Sequence, residues 1–189
     1  MKTLKDLYVH ELQDLYSAEK QIIKALPKMA RAAKNAQLAA GFRRHLKESE
    51  VHASRLEVIL GQLGESLRGP KCEGMEGLLK EGDKIIAEDA ADEVRDAGLI
   101  AAAQRVEHYE MAGYGVVRTY ARVLGYKAAV KTLDQTLKEE GATDKKLTAL
   151  AEKTINAKAK KPPVKKSKPK KSTGLAAQVK KVAKKLHLA

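Results

Sequence analysis

Cysteine occurs once in this 189-residue chain, at Cys72. A single thiol excludes an intramolecular disulfide framework and a cysteine-rich metal site. No apolar run reaches the ~18 residues needed to cross a bilayer. The opening stretch MKTLKDLYVHELQDLY carries acids from residue 6 and has no apolar core, so a signal peptide is not expected. These absences make the cytoplasm the plain location. Proline is scarce: only Pro27 and Pro70 fall within residues 1–156. Hydrophobic residues still make up 43% of the chain. That is enough for a core, so the bulk is not disordered.

The net charge of +13 hides a division. Twelve of the 37 Lys and Arg residues, all of them lysines, follow Asn156, and no acid does. Residues 1–156 therefore hold 25 basic residues against all 24 acids, whereas 157–189 carry +12. The body is close to neutral, and polyanion binding belongs to the tail.

The body reads as helical, because Ala, Leu, Lys, Glu and Arg dominate and β-branched runs are lacking. A first helix is expected over about 4–33, with Leu4, Leu7, Leu15, Ile22, Leu26 and Met29 at helical spacing. Pro27 inside it is a candidate kink. A second helix spans about 38–63 and stops at Gly64. The stretch GESLRGPKCEGMEG is loop-like, and EGLLKEGDKIIAED forms a short amphipathic helix. Two more helices follow, over about 96–124, ended by Gly125, and about 127–155. No repeating period marks a helical array. Two hairpins joined by a long crossover make an all-α four-helix bundle of the one-crossover kind.

Carboxylates and histidines interrupt the apolar stripes. Glu19 lies between Leu15 and Ile22. The second helix carries His45, Glu48 and His52, the third Glu107 and Glu110 with His108 between them, and the fourth Glu140 and Asp144. A buried unpaired carboxylate costs several kcal/mol or takes up a proton. Several in one core require a cation, basic partners or water.

Axial level gives an independent test. Residues equidistant from a hairpin turn lie side by side. With a turn near residue 35, Glu19 faces residue 51, which Glu48 and His52 flank. With a turn near residue 126, Glu140 and Asp144 face the surroundings of Glu110. Glu11 would instead face an apolar region near residue 59. Any one of these residues alone reads as a solvated glutamate or a packed histidine. Their coincidence on four helices at one height favours a metal centre. Oxygen-rich ligands with one or two imidazoles suit iron or manganese, and zinc less selectively. Bundles that hold two metals use a Glu from each of two helices and Glu-x-x-His from the others. Here the second helix has Glu48-x-x-x-His52 and the fourth has no histidine.

The segments DLYVHELQDLYSAEKQIIKALPKMA, KCEGMEGLLKEG, LIAAAQRVEHYEMAGYG and LKEEGATDKKLTALAE closely resemble the YciE/YciF-like bacterial stress proteins of the ferritin-like superfamily. The resemblance covers about residues 1–155 in order. It implies a ferritin-like bundle, a homodimer, a dimetal centre and induction under stress, but supplies no reaction. Glu19, Glu48, Glu107, Glu110 and Glu140 lie in stretches that match the family pattern. The expected ligand set is thus Glu19, Glu48, His52, Glu107, Glu110, Glu140 and Asp144 around two iron or manganese ions. Glu48 and Glu140 are the foremost candidates. Tyr16, Tyr109 and Tyr114 read as packing residues or redox neighbours, and Cys72 as a structural residue or a redox-sensitive thiol.

The tail offers Lys160, Lys161, Lys165, Lys166, Lys168, Lys170, Lys171, Lys180, Lys181, Lys184 and Lys185 as phosphate contacts. DNA or RNA would bind through counterion release without sequence readout. Lacking arginine and aromatics, the tail has no means of bidentate base contact or base stacking. Leu175, Val179, Val182 and Leu186 fall at helical spacing, so an amphipathic helix on an anionic membrane or a protein partner is a further expectation. Two functions follow. One is a metal centre that handles iron or peroxide, anchored to polyanions by the tail and placed at the nucleoid. The other is a non-catalytic scaffold that coats DNA.

Overall fold

The structure, a computed structural model, describes residues 1–160. Helix α1 spans Leu4–Ala32 and α2 spans Ala36–Gln62. Helix α3, Glu73–Ala87, lies in the crossover. Helix α4 spans Asp92–Val123, and α5, Lys127–Leu150, continues through a π-helical turn, Ala151–Ile155, into α6, Asn156–Ala159. The pairs α1–α2 and α4–α5 form the two hairpins, and α3 packs on α1 and α4. The fold is a ferritin-like four-helix bundle with one long crossover.

Local chemistry sets the helix ends. Thr3 and Asp6 form a capping box: Thr3 Oγ1 accepts from Asp6 N, and Asp6 Oδ2 accepts from Thr3 N, both at 3.1 Å. Asn35 caps α2 by accepting from the amides of Gln37 and Leu38. Gly64 and Gly125 take positive φ, 73° and 81°, just past α2 and α4. At each, two amides turn back onto the last carbonyls, with Glu65 N to Leu60 O at 3.0 Å and Tyr126 N to Ala121 O at 2.9 Å. These are left-handed caps that glycine adopts without strain.

Two boundaries and one expected kink differ from the sequence reading. Helix α4 begins at Asp92, four residues early, with Asp92 and Glu93 in its first turn facing the positive end of the helix dipole. Helix α3 begins at Glu73, because the Cys72 thiol acts as its cap and accepts from Met75 N at 3.4 Å. Helix α1 runs unbroken through Pro27.

The core is divided. One apolar cluster joins Ile22, Leu26, Leu38, Phe42, Leu99, Leu147 and Ile155. A second, nearer the other end, joins Tyr8, Leu12, Leu56, Leu60, Val117 and Leu133. Each fully buried Leu or Ile contributes about 1.5–3 kcal/mol. The interrupting polar residues fall between the two clusters. Asp96 of α4 ties the hairpins together by accepting from Lys34 N at 2.8 Å and Asn35 N at 2.7 Å in the α1–α2 turn. No helix among the described residues is long and apolar enough to cross a membrane.

Candidate metal centre

Six side chains from four helices converge between the apolar clusters. Helix α1 supplies Glu19, α2 supplies His45 and His52, α4 supplies Glu107 and Glu110, and α5 supplies Glu140. They form two groups whose potential ligand atoms all lie within 4.8 Å of one another: His45, Glu107, Glu110 and Glu140; and Glu19, His52 and Glu140. Glu140 belongs to both. All six are buried.

The second group is braced from two sides. Tyr114 Oη donates to Glu19 Oε1 at 2.6 Å. His52 Nδ1 lies 2.7 Å from Glu140 Oε1 and 3.4 Å from Glu19 Oε1, contacts without hydrogen-bond geometry. The other ring nitrogen, Nε2, lies 2.9 Å from Glu139 Oε2. Glu139 is itself clasped by Arg55, whose Nη2 donates to Oε1 at 3.2 Å, and Arg55 Nη1 donates to Thr136 Oγ1 at 2.9 Å. In the first group, His45 Nε2 is 3.3 Å from Glu107 Oε1.

Many polar atoms here have no hydrogen-bond partner: both oxygens of Glu110 and of Glu140, one each of Glu19 and Glu107, both ring nitrogens of His45 and Nδ1 of His52. Buried and without a protein partner, they resist charge. Burial, then the charge of Glu140, pushes the Glu107 carboxyl up to about 10. Burial and Glu19 drive Glu110 the same way. Burial opposes charge on His52, but Glu140 and Glu19 outweigh it and raise the ring to about 10. Such a constellation is stable with protons or with cations. Buried carboxylates and imidazoles gathered this closely could hold a metal ion in place of protons.

The expected ligands divide. Glu19, His52, Glu107, Glu110 and Glu140 are brought together. Glu48 stands at the rim, its side chain 31% exposed and its Oε2 3.6 Å from His45 Nδ1. Asp144 also stands aside: it accepts from Gln104 Nε2 at 2.9 Å and lies 3.5 Å from His108, which is 68% exposed. His45 takes the inward position instead. Its signal was the seven-residue spacing to His52, which repeats a helical face every two turns. Glu139 and Arg55 carried no signal before their neighbours in space were known. Tyr109 Oη donates to Asp14 at 2.9 Å and lies 2.9 Å from the buried Cys72 Sγ, while Tyr16 Oη donates to Glu57. Burial raises the Cys72 thiol, which suits its capping role better than thiolate chemistry. Of the tail lysines, Lys160 is exposed just past α6, and the rest lie outside the described residues.

Residues 3–160 match the family described as a domain of unknown function, DUF892. The chain belongs to the DUF892 family. This DUF892 chain is 48% identical over 160 residues to protein YciF of Escherichia coli (strain K12), covering 84% of the chain and 96% of that relative. The crystal structure of the Escherichia coli stress protein YciF superposes with a TM-score of 0.80 at 47% identity, over 82% of this chain and 99% of that one. YcfI of Rhodopseudomonas palustris gives 0.75 at 42% identity, over 78% and 94%. A Xanthomonas campestris protein at 18% identity, with a TM-score of 0.66 over 82% and 95%, shares the fold alone.

Proposed function

We propose that this DUF892 protein is a stress-response, ferritin-like protein whose dimetal carboxylate centre handles iron, peroxide or both. The supporting observation is the pair of buried ligand groups sharing Glu140. Iron or manganese ions there supply electron exchange with peroxide or oxygen. Glu19, His52 and Glu140 would hold one, and His45, Glu107, Glu110 and Glu140 would hold the other. The protein's own part is orientation and exclusion of water. Tyr114 fixes the Glu19 carboxylate, and Glu139 with Arg55 fixes the His52 ring. The apolar clusters on either side bury the carboxylates in the core.

The centre is tested by elemental analysis of protein purified without chelators, beside a Glu110→Ala/Glu140→Ala variant. About two iron or manganese ions per chain, lost in the variant while its helical circular dichroism persists, are expected. A wild-type protein that stays metal-free after anaerobic Fe(II) or Mn(II) loading overturns the reading.

The lysine tail favours a second role, anchoring on DNA or another polyanion in the cytoplasm, at the nucleoid. A body near neutrality joined to a tail of +12 supports it. A homodimer completes the reading. Val51 and Val58, exposed two turns apart on α2, offer apolar surface for it.

A further inference from the structure

A cleft of about 470 Å³ is lined by α1, α3 and α4 and walled along its length by α2 and α5. These two helices approach less closely than the hairpin partners do. The cleft follows the helix axis, from residue 37 to residue 48 on α2 and from 143 on α5 to 154 in the π-helical turn. Eleven residues at ~1.5 Å rise make it about 16 Å long. Its ends differ in chemistry. His45 and Glu107 close the mid-bundle end, and Leu26, Leu38 and Leu150 line the other. Among the lining residues, buried polar atoms without a partner belong to His45 and Glu107.

A volume in the range of small-molecule pockets, apolar walls and a few convergent polar groups together describe a ligand site. Polar ligands would lose their hydration against leucine walls without replacing it. The narrow, axial shape favours an unbranched chain. The polar end lies beside the carboxylate centre, where bound cations would attract an anion. We propose that the cleft binds a linear aliphatic carboxylate, its chain along the apolar walls and its head at the His45–Glu107 end. The placement of the head rests on the dimetal reading, because a carboxylate beside Glu48 and Glu107 needs a cation there. The chain's own lysine-rich tail is a poor occupant, since the exposed Arg44, Lys146 and Lys153 line the mouth and repel it.

The test titrates dodecanoate onto full-length Mn(II)-loaded protein by calorimetry, with butyrate as the short-chain control. Gly41 lines the cleft, and a Cβ there would meet nothing within 4 Å, so Gly41→Phe adds bulk at the cleft wall with no clash at its Cβ. One dodecanoate per chain is expected, with butyrate and the Gly41→Phe variant each at least about tenfold weaker. Manganese content and helicity of the variant should match wild type, and dodecanoate should alter the Mn(II) paramagnetic resonance spectrum. No binding by manganese-loaded wild type, or equal binding by Gly41→Phe, overturns the proposal. Binding that weakens as protein concentration rises, with dimers in sedimentation, gives the cleft to a second copy and also overturns it. A protein that takes up no manganese overturns the dimetal reading instead. Dodecanoate is then titrated onto the metal-free protein, where binding sensitive to Gly41→Phe retains the cleft site and its absence removes it.

Discussion

His52 Nε2 lies 2.9 Å from Glu139 Oε2, which turns Nδ1 of the same ring into the core, towards Glu19 and Glu140. A histidine that binds metal through one nitrogen commonly donates from the other to a carboxylate, which sets its tautomer and aim. Glu139 is half-buried and shares its charge with Arg55 and Gln135, so it is held firmly while remaining reachable from the surface. Its carboxyl is correspondingly low, at about 2, because Arg55, Gln135 and His52 outweigh the opposing effect of burial.

Glu139→Ala should therefore weaken metal binding by about 10–100-fold without unfolding the bundle. Competition with a coloured chelator measures the affinity. Glu139→Gln keeps an acceptor for the ring but not the charge, and should fall between. A purely structural role would lower the melting temperature of both variants and leave the affinity of the folded fraction unchanged.

Proton linkage gives a second prediction. In the metal-free protein Glu107 keeps its proton to about pH 10, whereas an unfolded glutamate loses it near the usual 4.5. The folded state then holds more protons than the unfolded one, and stability falls as pH rises through that window. His52 acts in the same sense, its folded value of about 10 standing above the ordinary 6.5. At the acid end Glu139 acts oppositely, and its contribution is lost as pH falls from 4.5 towards 2. Thermal unfolding of chelator-treated protein should show melting temperature decreasing from roughly pH 5 to 9. Metal loading should flatten that decline and release protons into weakly buffered solution, because cations replace protons on Glu107 and Glu110. A metal-free melting temperature that rises over the same interval would contradict the protonated core.

Much of this was legible before any coordinates. Gly64 and Gly125 marked the stops where two left-handed caps stand. Matching distances from the hairpin turns placed Glu19 beside Glu48 and His52, and Glu140 and Asp144 beside Glu110; His52 and Glu140 lie there, whereas Glu48 and Asp144 stand aside. Periodicity was not fine enough to choose between His45 and Glu48. At ~100° per residue they stand about 60° apart on α2, so both read as inward. His45 and His52 differ by only about 20°, and the packing turns that line to the centre. A preference for carboxylates as metal ligands pointed to Glu48, while the fold leaves it at the cleft with a lowered carboxyl, chiefly through His45. Cys72 was missed as a helix cap because thiols seldom serve there, and Glu139 because it sits off the apolar stripe and acts through a neighbour.

The charge division separates tail from body in a way that one truncation can test. Ten of the 37 Lys and Arg residues lie in 161–189, so their removal leaves 27 basic residues against 24 acids. Binding to duplex DNA by lysines alone is a counterion-release process, so its affinity falls steeply and linearly with the logarithm of salt concentration. Full-length protein should retard DNA of unrelated sequences equally at low salt and release them together as salt rises. The chain ending at residue 160 should lose nearly all retardation while keeping its metal content and helicity. The Glu110→Ala/Glu140→Ala variant should show the converse, retarding DNA like wild type without metal. Retardation by the truncated chain at the full-length level would move the polyanion contact onto the bundle. There the cations of Arg44, Lys146 and Lys153 around the cleft mouth would be the first to replace.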